Sequence, residues 1–434
     1  MVRLFIAGTG HVGLVYAVAF ALDGHRVVGA DIDAGTVAAV NRGEVPFHEP
    51  GLPEALKKAR RTKRARFSTD IAESAKAAEV IFLCVGTPSR PDGSVDLSQV
   101  SAAAKTVGEG MGSAPGYQVV VVKSTVLPGT TQGVVRPALE KASGKDAGPD
   151  FGLCVNPEFL REGSALEDAL RPDRLVIGAM DERSAKALLK VYARTKCKRM
   201  VTALRTAEMI KYATNAFLAT KVSFANELAN LCDAFGSLNV DEVVEGMGLD
   251  PRINPRFLKA GLGFGGSCFP KDVRALLAGG RERGYESRVL RAVLELNDYQ
   301  PMRAVELAAE AAGPLEGKEV AILGLSFKGG SDDVRESRAI PLANVLLERG
   351  AAVRGFDPEA NEAFRRAVPK VEITPDVKTA LALADVCIVH NDWPQWRDLT
   401  AADFSGMRRK VVIDGRRILN RAALEGIELV TLGG

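Results

Sequence analysis

Histidine is rare in this chain, with four residues in 434, and tryptophan rarer still, with two. The six cysteines, Cys84, Cys154, Cys197, Cys232, Cys268 and Cys387, are scattered, with no Cys-x-x-Cys pair and no histidine at ligand spacing. Neither a zinc site nor a disulfide framework is indicated. Charge of one sign is not in excess: 57 basic residues face 54 acidic ones, a formal net charge of +3. Such a balance leaves no electrostatic footprint for nucleic acid or a membrane surface. Long hydrophobic runs are missing too. Val119 to Val122 is of strand length, far below the ~20 residues that span a bilayer. The opening VRLFIAG starts a strand pattern, without the charged region, apolar stretch and cleavage site of a leader, so a cytoplasmic location is expected. Asparagine and glutamine together number seventeen, a scarcity that hints at a heat-tolerant source.

What is present is an alternation of strands and helices, in a chain long enough for two or three domains at about 150 residues each. RLFIAG reads as an apolar strand, HVGLVYAVAFALDG as a helix ending at Gly24, and HRVVGAD as a second strand. VIFLCVG, QVVVVKST and FGLCVNPE continue the series, and their unbroken apolar character predicts a parallel sheet covered on both faces. From Thr206 to Tyr299 the texture is helical, with some thirty residues free of Pro and internal Gly that read as one long helix or a broken pair. At Gly317 strands resume, and KEVAILGLS followed by AAVRGFD echoes the strand, helix, strand, Asp order of the beginning. The predicted architecture is α/β: two Rossmann-like doubly wound parallel-sheet domains, residues 1–200 and 301–434, joined by a long central helix and helical dimerisation segment over 201–300.

Five stretches carry chemistry. GTGHVG places Gly8, Gly10 and Gly13 after a strand and at the start of a helix, where they allow a tight turn, approach of a pyrophosphate and close helix packing. Asp31 follows at the end of the second strand, positioned to accept from a ribose 2′-OH, and no Arg or Lys lies between Ile32 and Val40, so NAD is expected rather than NADP. KSTVLPGT closes a strand with Ser124 and Thr125 in reach of a ligand, or makes a plain turn. NPEFLREGSALED puts Glu158 and Glu162 on one face if it is helical; the pair could divide acid and base roles or be solvated surface groups. EMIKYATN sets Lys211 and Asn215 one turn apart as donors toward a ligand oxygen, the alternative being a snorkelling Lys and a core Asn. In GFGGSCFPKD, Gly263, Gly265 and Gly266 are expected to hold backbone N–H groups against an anion. Cys268 then stands at a helix entry beside Lys271 and Asp272, where the helix N-terminus and the ammonium favour a thiolate.

A dinucleotide site joined to an activated thiol narrows the reaction. Interconverting alcohol and ketone needs no nucleophile, whereas oxidation through the aldehyde to the acid gains from one, because a thiohemiacetal can be oxidised to a thioester and hydrolysed. Two other readings stay open on the residues alone: a two-electron dehydrogenase with Cys268 structural, and a non-catalytic nucleotide binder with Cys268 as a redox switch.

At these residues the sequence resembles the UDP-glucose/GDP-mannose dehydrogenase family, through GTGHVGLV, VGTPS, KSTVLPGT, NPEFLREGSA, AEMIKYATN, GFGGSCFPKD, GLSFKGGSDDVRES and VVIDGR in order along almost the whole chain. The resemblance implies a four-electron oxidation of a nucleotide-sugar C6 alcohol with two NAD and one water. It implies Cys268 as nucleophile, Lys211 and Asn215 as oxyanion stabilisers, and Glu162, Thr125 and Asp272 as the groups that order water. On the cofactor side it implies Gly8, Gly10, His11, Val12, Gly13, Asp31, Ser89, Thr125, Glu162, Lys271 and Arg335. On the substrate side it implies Glu158, Phe159, Leu160, Lys211, Asn215, Arg252, Phe257, Phe264, Gly265, Lys328 and Arg416. Arg252 matches a position that reaches the neighbouring subunit's substrate in related dimers, so a homodimer or dimer-based assembly is expected. GLDPRI, NDWPQW and VVIDGR favour UDP-glucose, with GDP-mannose or a UDP-N-acetylhexosamine as alternatives. Four positions depart from the family: Thr36 replaces a Lys, and His11, Phe257 and Phe264 stand where tyrosine occurs.

Overall fold

Short apolar segments form the strands, and successive residues alternate between two cores. In β1 (Arg3–Ala7), Leu4 and Ile6 pack with Leu14, Val18 and Phe20 on one side. Phe5 and Ala7 pack with Ile81, Leu83 and Val107 on the other. Period-two alternation of apolar residues on both faces is what a sheet sandwiched between helix layers demands. The computed structural model describes residues 1–434, which divide into two units, Met1–Thr214 and Asn215–Gly434.

In the first unit, β1 is joined by β2 (Arg26–Ala30), β3 (Ala65–Ser68), β4 (Val80–Leu83), β5 (Gln118–Val122), β6 (Phe151–Val155), β7 (Arg174–Ala179) and β8 (Lys198–Thr202). Their order is β3-β2-β1-β4-β5-β6-β7-β8. The first six make the doubly wound order 3-2-1-4-5-6 and run parallel, as expected. The expectation of a wholly parallel sheet fails at β7, which pairs antiparallel with β6. Between them lies a single helix, Ala165–Leu170, of six residues. It is about 9 Å long, short of the ~17 Å needed to run back along a five-residue strand.

The second unit contains β9 (Glu319–Leu323), β10 (Ala352–Phe356), β11 (Glu372–Ile373), β12 (Val386–Val389), β13 (Val411–Asp414) and β14 (Glu428–Thr431), in the order β11-β10-β9-β12-β13-β14. All five pairings are parallel, so the same 3-2-1-4-5-6 winding occurs twice. The echo heard in the sequence is a repeated topology. Its two acidic residues differ, however. Asp357 accepts from the N–H groups of Leu325, Ser326, Glu359 and Ala360, the Ser326 hydroxyl and the Trp393 indole. With both oxygens saturated and the side chain fully buried, it is a brace and has no capacity left for a ribose.

The segment from Leu204 to Phe235 is one 32-residue helix, which decides between the single helix and the broken pair. It ends where Gly236 adopts φ +73°. Lys211 and Asn215 lie one turn apart on it.

Candidate active site

In the first unit the glycine loop is shaped as its spacing predicted. Gly8 has φ +93°, and a Cβ there would lie 2.9 Å from the Cys84 carbonyl; at Gly13 it would collide with the Gly8 carbonyl. Gly10 has nothing within 4 Å of a would-be Cβ and stands at the N-terminus of the helix His11–Leu22, which no side chain caps. Open space over uncapped N–H groups is what a pyrophosphate requires. Asp31 is fixed at the end of β2, its Oδ2 accepting from the Thr9 N–H at 2.7 Å and hydroxyl at 3.2 Å and its Oδ1 from the Asp33 N–H at 3.1 Å, and it remains partly exposed. These residues fit an NAD. Thr36, the departure from lysine, lies in the first turn of the next helix, Ala34–Arg42, and its hydroxyl and N–H both donate to the N-cap Asp33. Val12 follows His11 in the first helical turn, and Ser89 is exposed in a bridge with Val95.

The KSTVLPGT segment divides its labour differently from the expectation. Ser124 donates to the Val85 carbonyl at 2.6 Å, so it ties two strand ends together and is spent on structure. Thr125 is half-buried beyond β5. Glu208, on the long helix, accepts from the N–H groups of Gly129 at 2.6 Å and Thr131 at 2.8 Å, and so holds the rest of the turn. Burial raises its pKa, partly offset by those donors.

Glu158 and Glu162 do not share a helix face. Pro157 follows Asn156, residues 156–164 are irregular, and the helix begins only at Ala165. The structure instead separates the two environments. Glu162 sits half-buried in a turn. Glu158 is buried, its Oε1 2.8 Å from Lys211 Nζ and its Oε2 accepting from the Leu160 N–H at 2.6 Å. Burial works to raise the Glu158 pKa, yet the Lys211 charge and hydrogen bond, with the Leu160 N–H, hold it below the usual value. Lys211 is therefore buried and ion-paired, not snorkelling. Phe159 presents its ring to the Arg174 guanidinium, 3.8 Å from the centroid, and Leu160 packs at the edge of the core.

Sequence reasoning missed Lys123. Its ammonium is fully buried, donates to the Asn156 side chain at 2.8 Å and main chain at 3.2 Å, and lies 3.7 Å from the Tyr16 ring centroid. Burial pushes its pKa down to about 7, with Lys211 adding to the effect and Cys84 and Glu158 opposing it. An apolar strand preceding it was the available signal; a lysine continuing such a strand is buried with it.

In the second unit, Cys268 is the N-cap of the helix Phe269–Arg281, with Pro270 in the first turn, as the sequence indicated. Four residues on, Asp272 is buried and gathers two donors: Asn215 Nδ2 at 2.6 Å on one oxygen and the Lys271 ammonium on the other. Lys271 is thus engaged by Asp272, and Cys268 stands at a helix N-terminus, where the dipole favours a thiolate.

The glycine cluster is the main correction. The Phe264 N–H donates to Asn297 Oδ1 at 2.7 Å and the Gly266 N–H to the Arg335 carbonyl at 3.0 Å, so those groups are not displayed to an anion. A Cβ on Gly265 would collide with the Glu336 carbonyl, and one on Gly266 would lie 2.8 Å from the Phe327 ring. The glycines let the loop lie flush against residues 327–336. Three amides clamp it: Asn226 accepts from the Gly261 N–H, Gln300 donates to the Gly261 carbonyl, and Asn297 also donates to the Phe264 carbonyl.

Other expected substrate residues are spread through this unit. Phe264 is 6% exposed and packs with Ala216, Ala219 and Val273, so its ring is a core element. Phe257 is exposed at φ +66°. Arg252 is largely exposed and chelated by Asp250, Arg335 by Asp333. Lys328 is half-buried, its ammonium 5.5 Å from the Phe327 ring. Arg416 reaches from beyond β13 to the carbonyls of His390 at 2.9 Å and Gly263 at 3.3 Å, and burial lowers its pKa against the pull of Asp392 and Asp414. No group of three or more His, Cys, Asp or Glu side chains is placed to hold a metal. No helix is long and apolar enough to cross a membrane.

A dinucleotide cradle on one doubly wound domain, a helix-capping cysteine and a second domain of the same winding define a dehydrogenase of the two-Rossmann class. The chain belongs to the UDP-glucose/GDP-mannose dehydrogenase family: its NAD binding domain matches residues 2–196, its central domain 205–299 and its UDP binding domain 321–421. The UDP-glucose 6-dehydrogenase AglM of Haloferax volcanii is 46% identical over 99% of this chain and 100% of its own. A UDP-glucose dehydrogenase from the hyperthermophilic archaeon Pyrobaculum islandicum superposes with a TM-score of 0.93 at 45% identity, covering 99% and 97% of the two chains. A UDP-D-ManNAc dehydrogenase from Pyrococcus horikoshii has a TM-score of 0.88 at 29% identity, with 99% of each chain covered.

Proposed function

We propose that this enzyme oxidises the C6 alcohol of UDP-glucose to the carboxylate of UDP-glucuronate. The observation that carries the reaction is Cys268 at a helix N-terminus, one turn before the buried Asp272–Asn215 pair, in a chain with an NAD-binding domain. The near full-length likeness to UDP-glucose dehydrogenases at 45–46% identity, against 29% for the UDP-ManNAc enzyme, supports the choice of sugar. GDP-mannose and UDP-N-acetylhexosamines are the alternatives.

NAD supplies a hydride acceptor twice when bound, at the loop of Gly8, Gly10, His11, Val12 and Gly13 and at Asp31, with Ser89, Lys271 and Arg335 as further contacts. The chain's own residues do the rest. The Cys268 thiolate adds to the C6 aldehyde, giving a thiohemiacetal whose oxidation leaves a thioester. Lys211 and Asn215 donate to the oxygen that carries the developing charge. Water, ordered by Thr125, Glu162 and Asp272, adds to the thioester carbonyl and expels the thiolate. The balance is one alcohol, two NAD and one water giving one carboxylate, two NADH and three protons. Glu158, Phe159, Leu160, Arg252, Phe257, Phe264, Gly265, Lys328 and Arg416 form the sugar-nucleotide contacts. An assay across a panel of nucleotide sugars should give two NADH per UDP-glucose consumed; a ratio of one would sink the four-electron reading.

The functional division follows three segments, 1–200, 201–300 and 301–434, and the middle one also assembles the enzyme. Phe217, Phe224 and Leu231 recur every seven residues on the long helix and are 65%, 48% and 44% exposed. A stripe of that period is a helix-pairing seam, and its occupant is a second copy of the chain. Sedimentation of the wild type should show a dimer or a multiple of one. Phe217→Glu/Phe224→Glu should sediment as a monomer.

A further inference from the structure

His11 and Glu49 make a contact that the cofactor loop alone does not account for. Glu49 has a side chain with no solvent exposure, although it lies in an irregular segment between two helices. Its Oε2 is 3.4 Å from His11 Nε2, an ion-pair distance off the line of a good hydrogen bond. The same oxygen accepts from the Gly163 N–H at 3.0 Å, and Oε1 accepts from the Ala165 N–H at 2.8 Å. Phe47 stacks on the imidazole, with ring centroids 4.5 Å apart and planes at 27°. One carboxylate thus touches the glycine-rich loop and, on the far side of Glu162, the turn that carries it. Gly163 has φ +81°, so this turn has a conformation that the two N–H bonds help to define.

Other charged groups stand on the elements around the helix His11–Leu22: Lys123 lies 3.7 Å from the Tyr16 ring of that helix and donates to Asn156, and Glu158 pairs with Lys211. Asp168 pairs with Arg161 and Glu167 with Arg171 on the 165–170 side. Asp31 accepts from Thr9. On the helix Leu52–Arg61, Glu54 is in the first turn and the cations cluster in the last. Arg3 and Arg26 open β1 and β2 at the end opposite the glycine loop, and Arg66 lies within β3. His48 neighbours Glu49 in sequence. Glu49 is the carboxylate in contact with His11. Burial acts to raise its pKa and is outweighed by His11 and the Gly163 and Ala165 donors, which hold the carboxyl below its usual value.

We propose that Glu49 is a positioning residue for the cofactor, tying the glycine loop through protonated His11 to the turn that carries Glu162, and that NAD affinity therefore depends on the charge of His11. The proposal rests on NAD binding at this loop, which the wild-type titration tests separately. A charged imidazole draws the loop onto Glu49 and adds a cation beside the pyrophosphate position. Loss of the proton removes both effects, so affinity falls as pH rises.

The test is calorimetric titration of the full-length enzyme with NAD, without sugar, from about pH 5 to 8, where imidazoles titrate. Wild-type Kd should rise about fivefold or more across this interval, the size of an ordinary coupling between sites. His11→Phe keeps the stack on Phe47 and removes the charge, and should bind with a flat pH profile at the weaker, alkaline level. Glu49→Gln should be equally flat, and the double variant no weaker than either single one. A slope that persists in His11→Phe, or single effects that add in the double variant, would overturn the proposal. So would a fall in Tm for Glu49→Gln with its pH slope intact, the result of a purely structural carboxylate. If Glu49→Gln fails to fold, His11→Phe decides alone, because it leaves both backbone bonds to Glu49 in place.

Discussion

Cys268→Ala is expected to lower the rate of UDP-glucose oxidation by about three orders of magnitude or more, the scale on which loss of a covalent nucleophile is felt. Folding should be unaffected, since Cys268 is half-exposed and its carbonyl, which receives the Asp272 N–H, is retained. The diagnostic result is finer than the loss of rate. Cys268→Ser keeps the size of the side chain but offers a poor leaving group once acylated, so an ester between the sugar and the introduced hydroxyl should accumulate and be visible by mass spectrometry. A Cys268→Ala enzyme with near-normal turnover would leave the thiol structural and return the two-electron reading to first place.

Lys211→Met should cost about 3 to 5 kcal/mol of stability, measured by denaturant titration, because it strands the Glu158 carboxylate without its partner in the interior. Both side chains are under a tenth exposed, 6% and 8%, so solvent screening does not soften the loss. Adding Glu158→Gln to Lys211→Met should recover most of it, as neutralising the orphan removes the penalty. The pH dependence has a definite sign. Glu158 has a folded-state pKa below the ordinary carboxylate value, so its contribution is complete above the unfolded pKa and drains away as the pH falls through the folded one. The wild type should thus lose this part of its acid resistance below the normal carboxylate range. In the double variant that limb should be absent. A Lys211→Met protein as stable as the wild type would show that the pair is hydrated and contributes little.

Local devices are legible in the sequence: the Gly8, Gly10, Gly13 turn, Asp31 after β2, Cys268 before Pro270 and the unbroken helix through Lys211 and Asn215 all follow from short-range geometry. Winding order is readable as class, because apolar strands alternating with helices admit few arrangements. The reversal at β7 is not, since it depends on the short Ala165–Leu170 helix, and strand direction leaves no trace in hydrophobic pattern. The paired reading of Glu158 and Glu162 fails because residues 156–164 are irregular and the helix begins only at Ala165, so the two are never on a common helix. The glycine cluster misleads for a different reason. Glycine marks close approach of backbone, and only tertiary structure reveals whether the approaching body is a ligand or, as here, the chain's own residues 327–336. Glu49, Glu208 and Lys123 escape a sequence reading because each is defined by partners far along the chain, Glu49 more than a hundred residues from Gly163 and Ala165.

The clamp on the Cys268 loop bears on how such an enzyme ages. A chain with only seventeen Asn and Gln residues sets three of them, Asn226, Asn297 and Gln300, around one loop, since an amide can accept from and donate to the same stretch of main chain. Amides are also among the side chains that hot water hydrolyses. Loss of ammonia from Asn297 would set a carboxylate oxygen against the Phe264 carbonyl, turning attraction into repulsion beside the reactive thiol. Prolonged heating would then silence catalysis in molecules that are still folded, and the working life of the enzyme would be timed by a chemical clock in this loop, with unfolding a later event.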